Sequence, residues 1–143
     1  MRKFTFFAVF ALLGFVLQPE ARAQFATATA KTSAGVDSAI VTDTGNANLF
    51  VTIAKPHAGY GLFGTFTKTS GTLGGTAKAQ GSYDGTNWFD VGTNYTVTNT
   101  SGAQYNSWPL SGNTFPYKYA RVLWTGTGTM AGRFKLKVYT VDY

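Results

Sequence analysis

The stretch Arg133-Phe134-Lys135-Leu136-Lys137-Val138-Tyr139 decides the fold class, because apolar residues occupy every second position. Between them stand cationic residues and a tyrosine. Side chains of a strand point alternately to opposite faces, so one face of this strand is expected in a core and the other in water. The alternation predicts a strand over residues 130–141.

The rest of the chain after residue 24 also has the sequence pattern of strands and not of helices. Gly, Thr or Asn interrupts every window before apolar residues recur at helical spacing. Short strand patterns separated by turn clusters appear instead, at 25–29, 36–42, 48–53, 61–68, 76–83, 88–91, 95–98, 104–110, 117–125 and 130–141. This spacing predicts an all-β, antiparallel β-sandwich of the jelly-roll or Ig-like kind, as a single domain over 24–143. Pro109 marks its strand as an edge strand or shortens it.

A hairpin is predicted at Gly81-Ser82-Tyr83-Asp84-Gly85-Thr86-Asn87-Trp88-Phe89. Asp84 is suited to accept backbone hydrogens, and Gly85 to adopt a left-handed conformation. The aromatic residues that follow are expected to pack as the chain returns. Such a turn is strong evidence for structure and weak evidence for chemistry.

A second pattern lies in Tyr117-Lys118-Tyr119-Ala120-Arg121-Val122, followed by a Gly/Thr turn and the final strand. Together with the Ser-x-Asp-Gly-Thr-Asn-Trp hairpin, it resembles a widespread β-sandwich module of bacteriophage virion and tail proteins and of some exported bacterial surface proteins. The resemblance covers about residues 76–141. It implies a structural or adhesive role, with no catalytic residues to carry over.

The first 23 residues have the three parts of an export signal. Arg2-Lys3 precedes an apolar run from Phe4 to Leu17, and Ala21-Arg22-Ala23 ends the segment. This order predicts a short hydrophobic helix that is cleaved between Ala23 and Gln24. The alternative is a retained membrane anchor, although the run is shorter than the roughly 20 apolar residues that span a bilayer. The predicted location is exported: periplasmic, cell-surface or extracellular, with a virion as an alternative.

Composition argues against catalysis. The chain has no Cys, and after removal of the export segment it has no Glu and a single His57, which are poor means for acid–base or metal chemistry. We therefore expect no enzyme activity, no cofactor and no metal site. The mature segment carries nine basic residues and five Asp, a formal net charge of +4. This excess favours anionic partners without requiring them.

Three residues are candidates for ligand binding. Trp88 and Trp108 stand beside turns, where a flat aromatic face can stack on the apolar face of a sugar ring. Arg121 alternates with Tyr119 and Leu123 and shares their face. It is a candidate for binding a ligand, or for a structural clamp with Asp84 or Asp90.

These observations favour a non-catalytic exported β-sandwich that acts through assembly or surface adhesion. Its partners would be further copies of itself or another surface or virion protein, with a glycan or an anionic surface polymer as alternatives. A carbohydrate-binding module is the second hypothesis. A small outer-membrane β-barrel is the third, because the chain ends on alternating Tyr139, Val141 and Tyr143. No specific nucleic-acid motif is present.

Overall fold

The computed structural model describes residues 25–53, 59–111 and 116–141, with the backbone alone for 25–27 and 111. The predicted export segment, its cleavage site at Ala23 and Gln24, and His57 lie outside the described residues. Within the described ranges, no helix has the length and apolar character needed to cross a membrane.

All ten predicted strands are confirmed. They are β1 (Phe25–Thr29), β2 (Ala39–Thr42), β3 (Asn46–Thr52), β4 (Gly59–Gly71), β5 (Gly75–Ser82), β6 (Phe89–Asp90), β7 (Tyr95–Val97), β8 (Gln104–Ser111), β9 (Tyr119–Gly126) and β10 (Met130–Val141). The first and last have the predicted bounds. β2 begins later than residue 36, because the Thr32 amide donates to the Val36 carbonyl and closes a turn there. β4 is longer than predicted, because it pairs with β10 as far as Gly59 and Gly71.

The strands form two antiparallel sheets. Sheet A has the order β1-β10-β4-β8, with β2 also beside β10, and sheet B has the order β3-β9-β5-β6, with β7 also beside β5. The chain moves from one sheet to the other between β2 and β3, β3 and β4, β4 and β5, β7 and β8, β8 and β9, and β9 and β10. This strand order is that of a jelly roll and differs from the Ig-like alternative. β8 lies at an edge of sheet A, as Pro109 predicts.

The core lies between the two sheets. Phe66 and Phe134 of sheet A have ring centroids 5.0 Å apart, and Trp124 of sheet B meets Phe66 edge-on at 5.3 Å. Burial of each such side chain contributes roughly 1.5–3 kcal/mol. Opposite the rings of Phe66 and Phe134, β5 of sheet B supplies the buried Ala77 and Ala79, whose small side chains let the sheets approach closely.

The alternation of β10 is confirmed. Phe134, Leu136 and Val138 are buried, and the residues between them point away from sheet B. Each sheet therefore has an outer face as well as a core face.

Candidate functional site

The predicted hairpin between β5 and β6 is confirmed in detail. The Oδ1 atom of Asp84 accepts hydrogen bonds from the backbone amides of Thr86 and Asn87, both at 2.8 Å, and Gly85 has φ of 77°. These backbone bonds, Asn87 first, hold the pKa of Asp84 well below its usual range. After the turn, the Phe89 ring stacks on Tyr117 with centroids 6.0 Å apart. The carboxylate of Asp84 is thus engaged in hydrogen bonds within its own turn.

Arg121 lies in a chain of polar contacts across the outer face of sheet B. Its Nε donates to Oε1 of Gln80 at 2.8 Å, and the Gln80 side-chain amide donates to Oδ1 of Asp90 at 2.6 Å. The ammonium group of Lys78 completes the chain with a 3.2 Å ion pair to Asp90. The hydrogen bond from Gln80, with a smaller contribution from Lys78, lowers the pKa of Asp90.

Trp88 joins the same group from the hairpin. The guanidinium carbon of Arg121 lies 4.1 Å from the centroid of the Trp88 ring, a cation–π contact. We call Arg121, Gln80, Asp90, Lys78 and Trp88 the arginine network. It brings together two of the predicted ligand-binding residues, Arg121 and Trp88, which contact each other. The clamp predicted for Arg121 reaches Asp90 through Gln80, and Asp84 takes no part.

Trp108 lies in the core, where it does not fit the predicted role of a surface platform for sugars. Its side chain is 3% exposed, and its indole N–H donates to the carbonyl of Thr93 at 2.8 Å. The reason is strand parity: Trp108 occupies an inward position on β8, opposite the buried Leu62 of β4. Standing near a turn does not determine which face a residue takes.

Sheet A presents a different outer face. Arg133, Lys135 and Lys137 are exposed in one row on β10, and their side chains make no hydrogen bond or ion pair with another described residue. The five strands of sheet A contain no Asp or Glu. These cations therefore lack a carboxylate on their own sheet.

Three aromatic rings cross this face diagonally. Phe63 of β4 stacks on Tyr105 of β8 at 5.9 Å and meets Tyr139 of β10 edge-on at 6.5 Å. Tyr105 is 60% exposed and Tyr139 is 38% exposed. The rings and the three cations together form what we call the basic face, defined by Phe63, Tyr105, Tyr139, Arg133, Lys135 and Lys137. The sequence placed the cations and Tyr139 on one strand face but did not reveal Phe63 and Tyr105, because strand pairing brings those two rings to the same face.

A shallow groove continues the basic face toward one end of sheet A. The residues that line it include Gly59, Gly61, Pro109 and Tyr139. Lys137 lies opposite Phe63, and Tyr139 lies opposite Gly61, in the ladder between β10 and β4. The groove and the cation row are therefore next to each other.

The described acidic residues lie elsewhere. Asp84 and Asp90 belong to the hairpin and the arginine network, while Asp43 accepts a hydrogen bond from the Met130 amide at 3.1 Å. Asp37 stands in the loop before β2. Across the described ranges, no three His, Asp or Glu side chains are grouped so as to hold a metal ion.

The fold is shared with known structures, although sequence comparison identifies no family. No family model matches the chain, and no curated protein matches it. The chain is similar to the enzymatically active domain of tailspike protein 4 of bacteriophage CBA120, with a TM-score of 0.52 and 13% identity. That match covers 83% of this chain and 18% of the tailspike chain.

Two further likenesses are weaker. A structure described as CBM4 has a TM-score of 0.49 and 14% identity, over 84% of this chain and 77% of that one. An appendage protein of Bacillus endospores, which form disulfide-linked pili, has a TM-score of 0.46 and 12% identity, over 89% and 96%. At such identities the tailspike likeness supports the β-sandwich fold alone.

Proposed function

We propose that this chain is a non-catalytic, exported β-sandwich protein that acts by binding through its surface, as an adhesive or structural component of a cell surface or a virion-like assembly. One observation carries the proposal: the basic face presents three exposed cations beside the exposed rings of Tyr105 and Tyr139 and the half-buried ring of Phe63. Monomeric proteins seldom leave such side chains without a role when they are grouped. A partner that covers the face would satisfy both the charges and the rings.

The use made of the carboxylates supports a role without catalysis. Asp84 is saturated by hydrogen bonds within its turn, and Asp90 is held by Gln80 and Lys78. General acid–base chemistry needs such groups free to reach a substrate. The proposal also rests on the export signal predicted from residues 1–23 and on the resemblance of residues 76–141 to virion and surface modules.

Export is tested by producing the full chain in a secreting bacterium and separating cytoplasm, periplasm, membranes and medium. We expect the protein outside the cytoplasm, with Gln24 as its first residue by N-terminal sequencing. Protein that stays in the cytoplasm with Met1 in place would contradict this part of the proposal.

Binding is tested on the exported protein by size-exclusion chromatography with light scattering and by sedimentation with whole cells and insoluble polymers. We expect self-association or retention on a surface. Retention should fall when Lys135 and Lys137 are changed to Gln. The matched control, Lys78→Gln with Lys118→Gln, removes two charges from outside the basic face. A strict monomer that binds no surface would overturn the proposal.

A further inference from the structure

We propose that the ligand of the basic face is an acidic polysaccharide. Its sugar rings lie on the aromatic rings and in the groove over Gly61, while its carboxylate or sulfate groups pair with Lys135 and Lys137. This inference rests on the binding role proposed above and names the ligand class. Charge, ring exposure and the glycine positions carry it independently.

The charge pattern calls for an anionic ligand. Residues two apart on a strand are about 7 Å from each other, so Arg133, Lys135 and Lys137 form a row of like charges. No carboxylate lies on the strands of sheet A to offset their repulsion. A polymer with regularly repeated negative groups would pair with the row and remove that repulsion.

The aromatic rings call for a ligand with flat apolar surfaces. Tyr105 and Tyr139 are exposed around the half-buried Phe63. Sugar rings have one face of C–H groups that packs on aromatic faces, and tyrosine hydroxyls can bond to the hydroxyls around it. A ligand with charge but no apolar surface would make no favourable contact with these rings.

Gly61 gives the most specific argument. Glycine inside a strand costs roughly 0.5–1 kcal/mol relative to alanine, so its presence needs a reason. A Cβ at Gly61 would meet the Tyr139 Cβ at an ordinary 3.9 Å, and one at Gly59 would meet nothing within 4 Å. By contrast, a Cβ at Gly64 would lie 3.1 Å from the rings of Phe66 and Trp108. Core packing therefore accounts for Gly64 but not for Gly61, whereas a ligand that approaches the backbone would account for Gly61.

A single-stranded nucleic acid also combines rings and negative charge. The predicted export signal favours the polysaccharide, because acidic polysaccharides are polymers of cell surfaces. The experiment therefore includes both ligand types.

Binding is measured by affinity electrophoresis and calorimetry on the exported protein. The probes are polygalacturonate and its methyl ester, dextran sulfate and dextran, and oligo-dT. Each acidic polymer is thus paired with a neutral one built on the same sugar rings. We expect at least one acidic polymer to bind at least about tenfold more tightly than its neutral counterpart, with affinity falling as salt increases.

Two sets of variants distinguish a specific binding site from nonspecific electrostatic attraction to the protein's positive charge. Lys135→Gln with Lys137→Gln should weaken binding by about tenfold or more, and Lys78→Gln with Lys118→Gln by less than about twofold. Gly61→Val should weaken binding by about fivefold or more by filling the groove, with an unchanged urea midpoint. Gly59→Val repeats the steric test if Gly61→Val fails to fold.

The outcomes that overturn the inference are distinct. Equal binding of neutral and acidic polymers would exclude the charge argument. Full binding by both glycine variants would show general charge attraction. Tighter binding of oligo-dT would indicate a nucleic acid instead. If the protein binds cells or another protein but none of the acidic polymers, the proposed function stands and this inference is overturned. If it binds none of these partners, both are overturned.

Discussion

The cations on the outer faces of the two sheets differ in whether they have partners within the protein. On sheet B, Arg121 is bonded to Gln80 and covered by Trp88, and Lys78 is paired with Asp90. On sheet A, the row of cations on β10 faces threonines and Phe63 across the ladder to β4. The cations of the first face have partners within the protein, whereas no carboxylate lies on the strands of the second.

The comparison shows why a residue's own sequence neighbours do not reveal its role. Arg121 and Lys137 both alternate with apolar residues along a strand. Their difference comes from the adjacent strand, where Gln80 stands opposite Arg121 and Phe63 stands opposite Lys137. Whether a cation has a partner on its own sheet is thus decided by which residue the register places across the ladder.

The largest difference in the free energy of unfolding between variants of the two faces is expected when the arginine of each face is replaced. Arg121→Ala should lower the free energy of unfolding by about 2 kcal/mol, because Gln80 loses a charged partner and Trp88 loses its cation. Arg133→Ala, on the basic face, should change it by less than about 0.5 kcal/mol. Urea unfolding followed by circular dichroism measures both. Equal effects would contradict the division between a structural and a free face.

Trp88 is expected to act within the network and not on a ligand. Trp88→Ala should destabilise the protein by about 1 kcal/mol, the size of a partly exposed cation–π contact. Its affinity for the polymer bound by the basic face should stay unchanged. Tyr105→Ala should show the reverse pattern in the same urea and calorimetric measurements. A loss of binding on Trp88→Ala with unchanged stability would restore Trp88 as a ligand platform.

Asp90 should make sheet B sensitive to acid. Its pKa is lowered in the folded protein from the ordinary 3.8, chiefly by the Gln80 hydrogen bond. A lowered folded pKa adds stability that is present above the unfolded pKa and is lost as pH falls through the folded one. Because the pair with Lys78 is exposed, we expect about 0.5 kcal/mol.

The measurement is urea unfolding of the wild type and Asp90→Asn between about pH 6 and pH 2. The wild type should be the more stable form at the upper end, and the two should converge at the lower end. Asp84, which also titrates low, is present in both proteins and cancels in the difference. A difference that does not change with pH would exclude this role for Asp90.

The smallest change in stability is expected where the basic face loses its charges. Lys135→Gln with Lys137→Gln should leave the free energy of unfolding unchanged or raise it by up to about 0.5 kcal/mol, because like-charge repulsion is removed. Thermal melting at low and high salt measures this, and the rise should disappear at high salt. Destabilisation by this double variant would show that the lysines hold the fold together.

Strand positions and the hairpin could be predicted because their causes are local. Alternation of apolar residues follows from the two-residue period of a strand, and it located β10 and its core face correctly. The turn at Asp84 and Gly85 depends on hydrogen bonds and a backbone conformation within four residues. Trp108 was misplaced because the burial of a lone aromatic residue depends on strand parity, which proximity to a turn does not reveal.

The sequence by itself determined that the chain forms antiparallel strands, where the hairpin turns, and that residues 24–143 carry excess positive charge. Tertiary structure alone decided the jelly-roll order, the burial of Trp108 and the partners of Arg121. It also placed Phe63 and Tyr105, which are far apart in the chain, beside Tyr139 and the row of cations on β10. The physical reason is that period and turn chemistry act over a few residues, whereas a cation's partner is set by strands that pair over long sequence distances.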